Sequence, residues 1–207
     1  MKRLEDRDRR DDCPTNSDFI RAFVAIQLPA EVRANLAEAQ AAMRALLPPK
    51  SASWTKAENL HLTLRFLGNV ETARIAELSQ LLRDALANFG ELDLACEQVG
   101  CFPDVRHPRV IWAWMHDAAD RLEPLHRQVN EAVKGFAAHP AEKGFVGHVT
   151  LGRPKRLGRL EAERLAQFVE RQAGKKFGAW RCASLSLIRS ELSPQGSRYT
   201  TLDVLPL

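Results

Sequence analysis

The 207-residue chain has no uninterrupted run of about 18 apolar residues, the length a helix needs to cross a bilayer, which excludes a membrane-spanning helix. Its opening stretch, MKRLEDRDRRDD, lacks the apolar core of a signal peptide, so export is not expected. Cysteine is sparse: Cys13, Cys96, Cys101 and Cys182 show no C-x-x-C spacing, which argues against both a disulfide framework and a zinc site. A chain of this size needs no staples to hold a core, and a reducing cytoplasm is the expected location. The motifs G-x-x-x-x-G-K-[ST], G-x-G-x-x-G and H-E-x-x-H are absent, so ATP-dependent ligation, dinucleotide chemistry and zinc proteolysis lack support. Acidic clusters at metal-ligand spacing are missing too. Ser53-Trp54-Thr55-Lys56 formally matches S-x-x-K, but the partner motifs of that class do not accompany it.

What is present reads as an ordinary globular protein, with 45% hydrophobic and 27% charged residues. The formal charge of +4 gives a mild preference for anionic partners such as nucleic acid or phosphate esters. Residues 1–17 are nearly all polar, with both signs mixed, and are expected to form a disordered tail. Residues 18–207 are expected to form one domain of two lobes.

Within that domain, Phe19–Leu28 and Leu60–Leu67 read as buried strands, the second closed by Gly68-Asn69. Trp54-Thr55 is a short strand candidate. Glu31–Leu47, Thr72–Phe89, Asp120–Phe136 and Leu160–Ala173 have helical apolar spacing. Pro29 suits the first position of the first of these helices, and Pro48-Pro49 ends it. Glu91–Phe102, Arg109–Met115 and Val146–Leu151 read as further strands. Trp180–Ser190 and Arg198–Leu205 read as a closing pair joined by the turn sequence SPQG. Helices mixed with directly consecutive strands predict an α+β fold with largely antiparallel sheets.

One pattern carries chemistry. His61-Leu62-Thr63-Leu64 lies in one predicted strand and His148-Val149-Thr150-Leu151 in another, each with a helix before and after it, which suggests an internal duplication. With a strand period of two, His61 and Thr63 share one face while Leu62 and Leu64 share the other; the second copy repeats this. If two such lobes face each other about a pseudo-twofold axis, two imidazoles and two hydroxyls converge in a cleft. One imidazole can then accept a proton while the other donates one, and the hydroxyls can hold phosphate oxygens. That set suits metal-free phosphodiester hydrolysis.

Together with RAFVAIQLP (21–29), ENLHLTLRFLGNV (58–70), PRVIWAW (108–114), FVGHVTLGRPK (145–155) and SELSPQGSRYTTL (190–202), these motifs make the chain resemble the two-histidine phosphoesterases. The closer resemblance is to the RNA 2′,3′-cyclic phosphodiesterases, also called 2′-5′ RNA ligases. It implies a bilobal, pseudo-twofold α+β fold with two largely antiparallel sheets, flanked by helices, around a central cleft. It also implies metal-independent hydrolysis of an RNA 2′,3′-cyclic phosphate end to a 2′-phosphate, with no cofactor. Reversed, the chemistry would join such an end to a 5′-hydroxyl. The resemblance assigns His61 as proton donor to the leaving 3′-oxygen, His148 as the base that activates water, and Thr63 and Thr150 as phosphate-binding hydroxyls. Relatives with an arginine at the position of Arg153 make that residue a third phosphate ligand. RNA is the expected partner, with no membrane association and a monomeric enzyme. Many relatives carry proline directly before the second histidine; Gly147 stands there in this chain. A small cyclic nucleotide as substrate, or RNA binding without catalysis, are the alternative readings.

Other residues are expected to be structural. Arg65 shares the motif face of its strand but is expected to reach solvent. Trp54 and Phe145 could stack on a base, though core packing is the expected role for both. Trp112 and Trp114 alternate within an apolar strand and are expected in the core. His107, His116, His126 and His139 lack ligand spacing and are expected at the surface.

Overall fold

The structure, a computed structural model, describes residues 18–138, 140, 144–193 and 196–207. The expected tail of residues 1–17 with Cys13, the expectation for His139, and the middle of the SPQG turn at Pro194-Gln195 lie outside the described residues. In chain order the elements are β1 (Phe19–Gln27), α1 (Ala30–Leu46), β2 (Ala52–Trp54), β3 (His61–Glu71), α2 (Ile75–Leu86), β4 (Leu92–Phe102), β5 (Val110–Asp117), α3 (Leu122–Ala132), β6 (His148–Pro154), α4 (Arg159–Arg171), β7 (Lys176–Cys182), β8 (Ser184–Ser193) and β9 (Gly196–Pro206).

Local sequence accounts for most boundaries. Pro29 occupies the N-cap of α1, one position before the expected one. Leu47 is extended, the conformation forced on a residue that precedes proline, and it stops α1 after Leu46. In α2, Leu78, Leu82 and Leu86 recur every four residues and are fully buried. The carboxylate of Asp117 accepts the backbone N–H groups of Ala119, Arg121 and Leu122, so α3 starts at Leu122.

All strand pairings are antiparallel, in the order β7-β4-β5-β6-β3-β1-β8-β9, with β2 added beside β6. Two sheets were expected; they are the two halves of one curled sheet. The halves β7-β4-β5-β6 and β3-β1-β8-β9 meet at a single register pair, Leu62 opposite Val149. Each is the residue between the histidine and the threonine of its motif. Helices α1 and α4 back the first half, and α2 and α3 back the second. Between sheet and helices runs one aliphatic core that includes Val24, Leu36, Leu62, Leu82, Val149 and Leu151. On the other face of β1 and β8, Phe23, Ala25 and Ile188 form a small cluster with Tyr199 packed against it.

Four expectations are corrected. The strand expected over Trp180–Ser190 is two strands split at Ala183: β7 pairs with β4 at one edge of the sheet, and β8 pairs with β1 and β9 in the other half. The chain changes halves there while its side chains continue to favour strand. Strand β3 runs past Gly68-Asn69 to Glu71, because Leu67 is accommodated as an extra residue opposite β1 and Gly68 adopts φ 79°. Trp112 and Trp114 are half-buried on the face away from the aliphatic core, because Ile111, Ala113 and Met115 occupy the core face of β5. His116 shares their face: it is half-buried, stacked on Trp114 and paired with Glu97 at 3.3 Å, rather than at the surface. His107 is exposed as expected.

Gly147 is required by space. A Cβ there would lie 2.4 Å from the Met115 carbonyl and 2.8 Å from Leu122 Cδ2. The Gly147 carbonyl accepts the Met115 N–H at 2.8 Å, and the close approach binds the segment to β5. Gly147→Ala is predicted to displace that contact and cost about 1–3 kcal/mol, as overpacked sites do. Urea denaturation measures it; an unchanged midpoint would contradict the account.

Candidate active site

The seam between the halves creates the site. Leu62 and Val149 point into the core and are fully buried. Their motif neighbours must therefore point to the opposite face. Antiparallel crossing sets His61 on the side of Thr150, and Thr63 on the side of His148. All four line one cleft of about 730 Å³. Arg153 lines it as well. So does Arg65, which was expected to reach solvent; its guanidinium Nη1 donates to the Pro140 carbonyl at 3.1 Å.

Both imidazoles are held by the same device. His61 Nδ1–H donates to the Asn59 carbonyl at 2.7 Å, and His148 Nδ1–H donates to the Val146 carbonyl at 2.8 Å. Each carbonyl lies two residues before its histidine. A carbonyl only accepts, so the neutral rings carry their proton on Nδ1 and keep Nε2 for chemistry. Nε2 of His61 lies 2.9 Å from the Thr63 hydroxyl, which donates to it while the ring is neutral. Each ring also meets an aromatic edge-on: His61 meets Tyr199 at 5.4 Å, and His148 meets Phe102 at 5.2 Å.

The two histidines differ in their surroundings. Phe23 packs against the His61 ring at 4.9 Å. Burial lowers the His61 pKa below its ordinary value; the Asn59 carbonyl pulls the other way, and charge on His148 adds to the depression. Asn59 is itself tied down, its side-chain amide donating to the Ser197 carbonyl of β9 at 2.8 Å. The anchor of His148 is a backbone carbonyl of an exposed segment, at Val146.

A further support escaped the sequence reading. Gln40 of α1 is buried, and its amide donates to the carbonyls of Leu151 at 2.6 Å and Thr55 at 2.9 Å. It thereby links the motif strand β6 to the cleft residue Thr55. The signal was available: Gln40 lies four residues after Leu36 and three before Met43, on the apolar stripe of its helix. Tyr199, Phe102 and His126 also line the cleft, and no local pattern marks them. Trp54 packs against the core as expected, with the Arg44 guanidinium 5.5 Å from its ring centre. Phe145 likewise packs against the core as expected, and it also lines the cleft, stacked on His126 at 3.9 Å and 15°. His126, expected at the surface, is half-buried there. Among the described residues, no group of three or more His, Cys, Asp or Glu converges as metal ligands would.

A cleft with paired imidazoles beside hydroxyls and a guanidinium holds groups capable of acid–base chemistry and of binding an anion. Residues 26–112 and 114–199 match the LigT like Phosphoesterase family, and the chain belongs to it. It is 28% identical over 188 residues to the RNA 2′,3′-cyclic phosphodiesterase of Methanothermobacter thermautotrophicus, covering 91% of this chain and 99% of that protein. The crystal structure of TT0787 of Thermus thermophilus is similar with a TM-score of 0.72 and 30% identity, covering 91% of this chain and 98% of that one. A structure of E. coli LigT is similar with a TM-score of 0.66 and 26% identity, covering 92% and 99% of the respective chains.

The geometry predicts a titration. His148→Ala removes one of the two causes that depress the His61 pKa, so that pKa rises; burial remains, and holds it below the ordinary value. NMR of the imidazole nitrogens measures both the pKa and the Nδ1–H tautomer. An Nε2–H tautomer, or a His61 pKa that falls in the variant, would contradict the description.

Proposed function

We propose that the protein hydrolyses the 2′,3′-cyclic phosphate at an RNA end to a 2′-phosphomonoester, without metal. The observation that carries this reading is the pair of Nδ1-anchored imidazoles in one cleft with Thr63, Thr150 and Arg153. Two further facts support it: relatives across nearly the whole chain bear the name RNA 2′,3′-cyclic phosphodiesterase, and E. coli LigT was solved with phosphate.

In this reading His148 Nε2 takes a proton from water as the water oxygen attacks phosphorus. The bond from phosphorus to the 3′-oxygen breaks, and His61 Nε2–H delivers its proton to that oxygen. The products are a 2′-phosphate and a 3′-hydroxyl, with His148 left protonated and His61 neutral; exchange with solvent resets the pair. Thr63, Thr150 and Arg153 bind the phosphate oxygens, where charge is greatest in the transition state. Protonation of His61 also frees the Thr63 hydroxyl: it no longer donates to Nε2 and turns its proton toward the phosphate, while Nε2–H faces the 3′-oxygen. The anionic substrate thus favours the charged His61 that burial disfavours in the free protein. Reversal of these steps joins a cyclic phosphate end to a 5′-hydroxyl.

Both histidines come from one chain, so a monomer carries a whole site. Cys96 and Cys101 are free and buried, which pushes both thiols up to about 12 and keeps them unreactive, in accord with a reducing cytoplasm. The cleft volume of about 730 Å³ also suits a mononucleotide, which makes a small cyclic nucleotide the second reading.

The test is incubation of an oligoribonucleotide 2′,3′-cyclic phosphate with the protein in excess EDTA. The expected product is a 2′-phosphate end, resistant to a 3′-specific phosphatase. His61→Ala and His148→Ala should each lower turnover by about 10²–10⁴-fold, the usual contribution of a general acid or base. A 3′-phosphate product, near-normal turnover in either variant, or activity that needs a divalent ion would overturn the mechanism. Turnover confined to mononucleotides would favour the second reading.

A further inference from the structure

The two imidazoles are anchored alike, by a carbonyl two residues upstream, but the anchors themselves are built differently. Val146, which anchors His148, has an aliphatic side chain that is 44% exposed and can form no hydrogen bond. Asn59, which anchors His61, is fixed by hydrogen bonds to three segments. Its N–H donates to the Lys56 carbonyl at 2.9 Å, in the short 3₁₀ turn Ala57–Asn59. Its side-chain amide donates at 2.8 Å to the carbonyl of Ser197, 138 positions along the chain at the start of β9. Its own carbonyl accepts His61 Nδ1–H at 2.7 Å. A second contact joins the same two segments: a Cβ on Gly196 would lie 3.7 Å from Lys56 Cε, so the start of β9 lies against the turn. The Asn59 side chain thus fixes where its carbonyl points, and that carbonyl fixes which imidazole nitrogen bears the proton.

We infer that Asn59 is the positioning residue of His61: its side-chain amide, held by the backbone of β9, keeps its carbonyl on Nδ1 and so keeps Nε2 turned toward the phosphate. The inference rests on the reading of His61 as the acid and adds what holds it ready. An acid must carry its proton before it can give it up, and burial disfavours the charged ring. The Asn59 carbonyl opposes burial at this ring, because a hydrogen bond from Nδ1–H strengthens when the ring is charged. The base has the reverse need. His148 must be neutral to accept a proton, and its anchor is the one without a side-chain brace. The titratable and charged groups that face His61 are Tyr199 from β9, His148 and Arg153 from β6, and Arg65 from β3; Phe23 and Gln27 of β1 are neutral. None of them is altered by exchange of the Asn59 side chain, so a change at His61 reports on its anchor.

The test replaces Asn59 by leucine, which keeps the bulk and removes the amide, and by glutamine, which keeps an amide on a longer side chain. NMR of the imidazole nitrogens is read first, in the free protein. In Asn59→Leu the neutral His61 ring should divide between its two tautomers, and its pKa should fall below that of the unaltered protein; His148 should keep Nδ1–H. On adenosine 2′,3′-cyclic phosphate, kcat should drop on the order of 10–100-fold, the scale of loss from a misplaced reacting group, with KM nearly unchanged. The alkaline limb of kcat/KM should move to lower pH, since the acid is lost as pH rises through a lowered pKa. Asn59→Gln should recover part of each change. In a His61→Ala background, Asn59→Leu should cost nothing further in kcat. An unchanged His61 tautomer and pKa, a loss carried by KM, or an equal loss in the His61→Ala background would make Asn59 a substrate ligand or a packing residue and overturn the inference. Where leucine prevents folding, Asn59→Ala, which only removes atoms, gives the same readings. If the NMR changes occur while the unaltered protein hydrolyses no cyclic phosphate, the positioning role stands and the hydrolytic reading falls. If hydrolysis proceeds and the His61 signals do not respond to Asn59, the positioning role alone falls.

Discussion

Leu62 and Val149 face each other across the seam of the sheet, and this one backbone pair sets the position of every group in the cleft. Both side chains are buried among aliphatic residues from both halves, so neither strand can slip by one residue without turning a histidine and a threonine into the core. An unpaired imidazole in that core would cost several kcal/mol on the scale of buried polar groups. The hydrophobic core therefore enforces the register, and the register presents two His-x-Thr faces to one another. A single pair suffices because each strand is held on its far side by a long ladder: β3 by β1 and β6 by β5. The halves remain splayed beyond the seam, which leaves the cleft open.

Within that frame the two copies are alike in device and unlike in setting. In each, a carbonyl two residues upstream holds Nδ1 and an aromatic edge supports the ring. His61 is more deeply enclosed, by Phe23 and Tyr199, and its anchor is tied to β9 through Asn59. His148 hangs from an exposed segment that also bears Phe145. Burial and the neighbouring charge of His148 lower the proton affinity of His61. Gln40 supplies rigidity from behind, tying a helix to the motif strand β6 next to Thr150.

The motif faces were legible because they depend only on the strand period of two, and the apolar residues between them showed which face was buried. Helix positions were legible for the same reason at the helical period. The break at Ala183 was not: Lys176–Ser193 favours strand almost throughout, and only the choice of partners divides it between the two halves. Trp112 and Trp114 were assigned together to one face, correctly, but to the wrong one. Alternation alone leaves two faces, and aliphatic Ile111, Ala113 and Met115 took the core side. Phe102, His126 and Tyr199 reach the cleft through strand and helix neighbours remote in sequence, which no local pattern encodes. Gln40 could have been found, as a polar residue on an apolar stripe.

The most direct test of paired acid–base action is the pH dependence of hydrolysis of a 2′,3′-cyclic phosphate, with kcat and kcat/KM measured separately. The account predicts a bell in each, one limb for the group that must be neutral and one for the group that must be charged. His61 as acid is lost as pH rises through its pKa, which is depressed in the free protein and raised by bound phosphate. The alkaline limb should therefore stand at lower pH in kcat/KM than in kcat. A single-limbed profile, or an alkaline limb that moves the opposite way on substrate binding, would contradict the assignment of the two histidines.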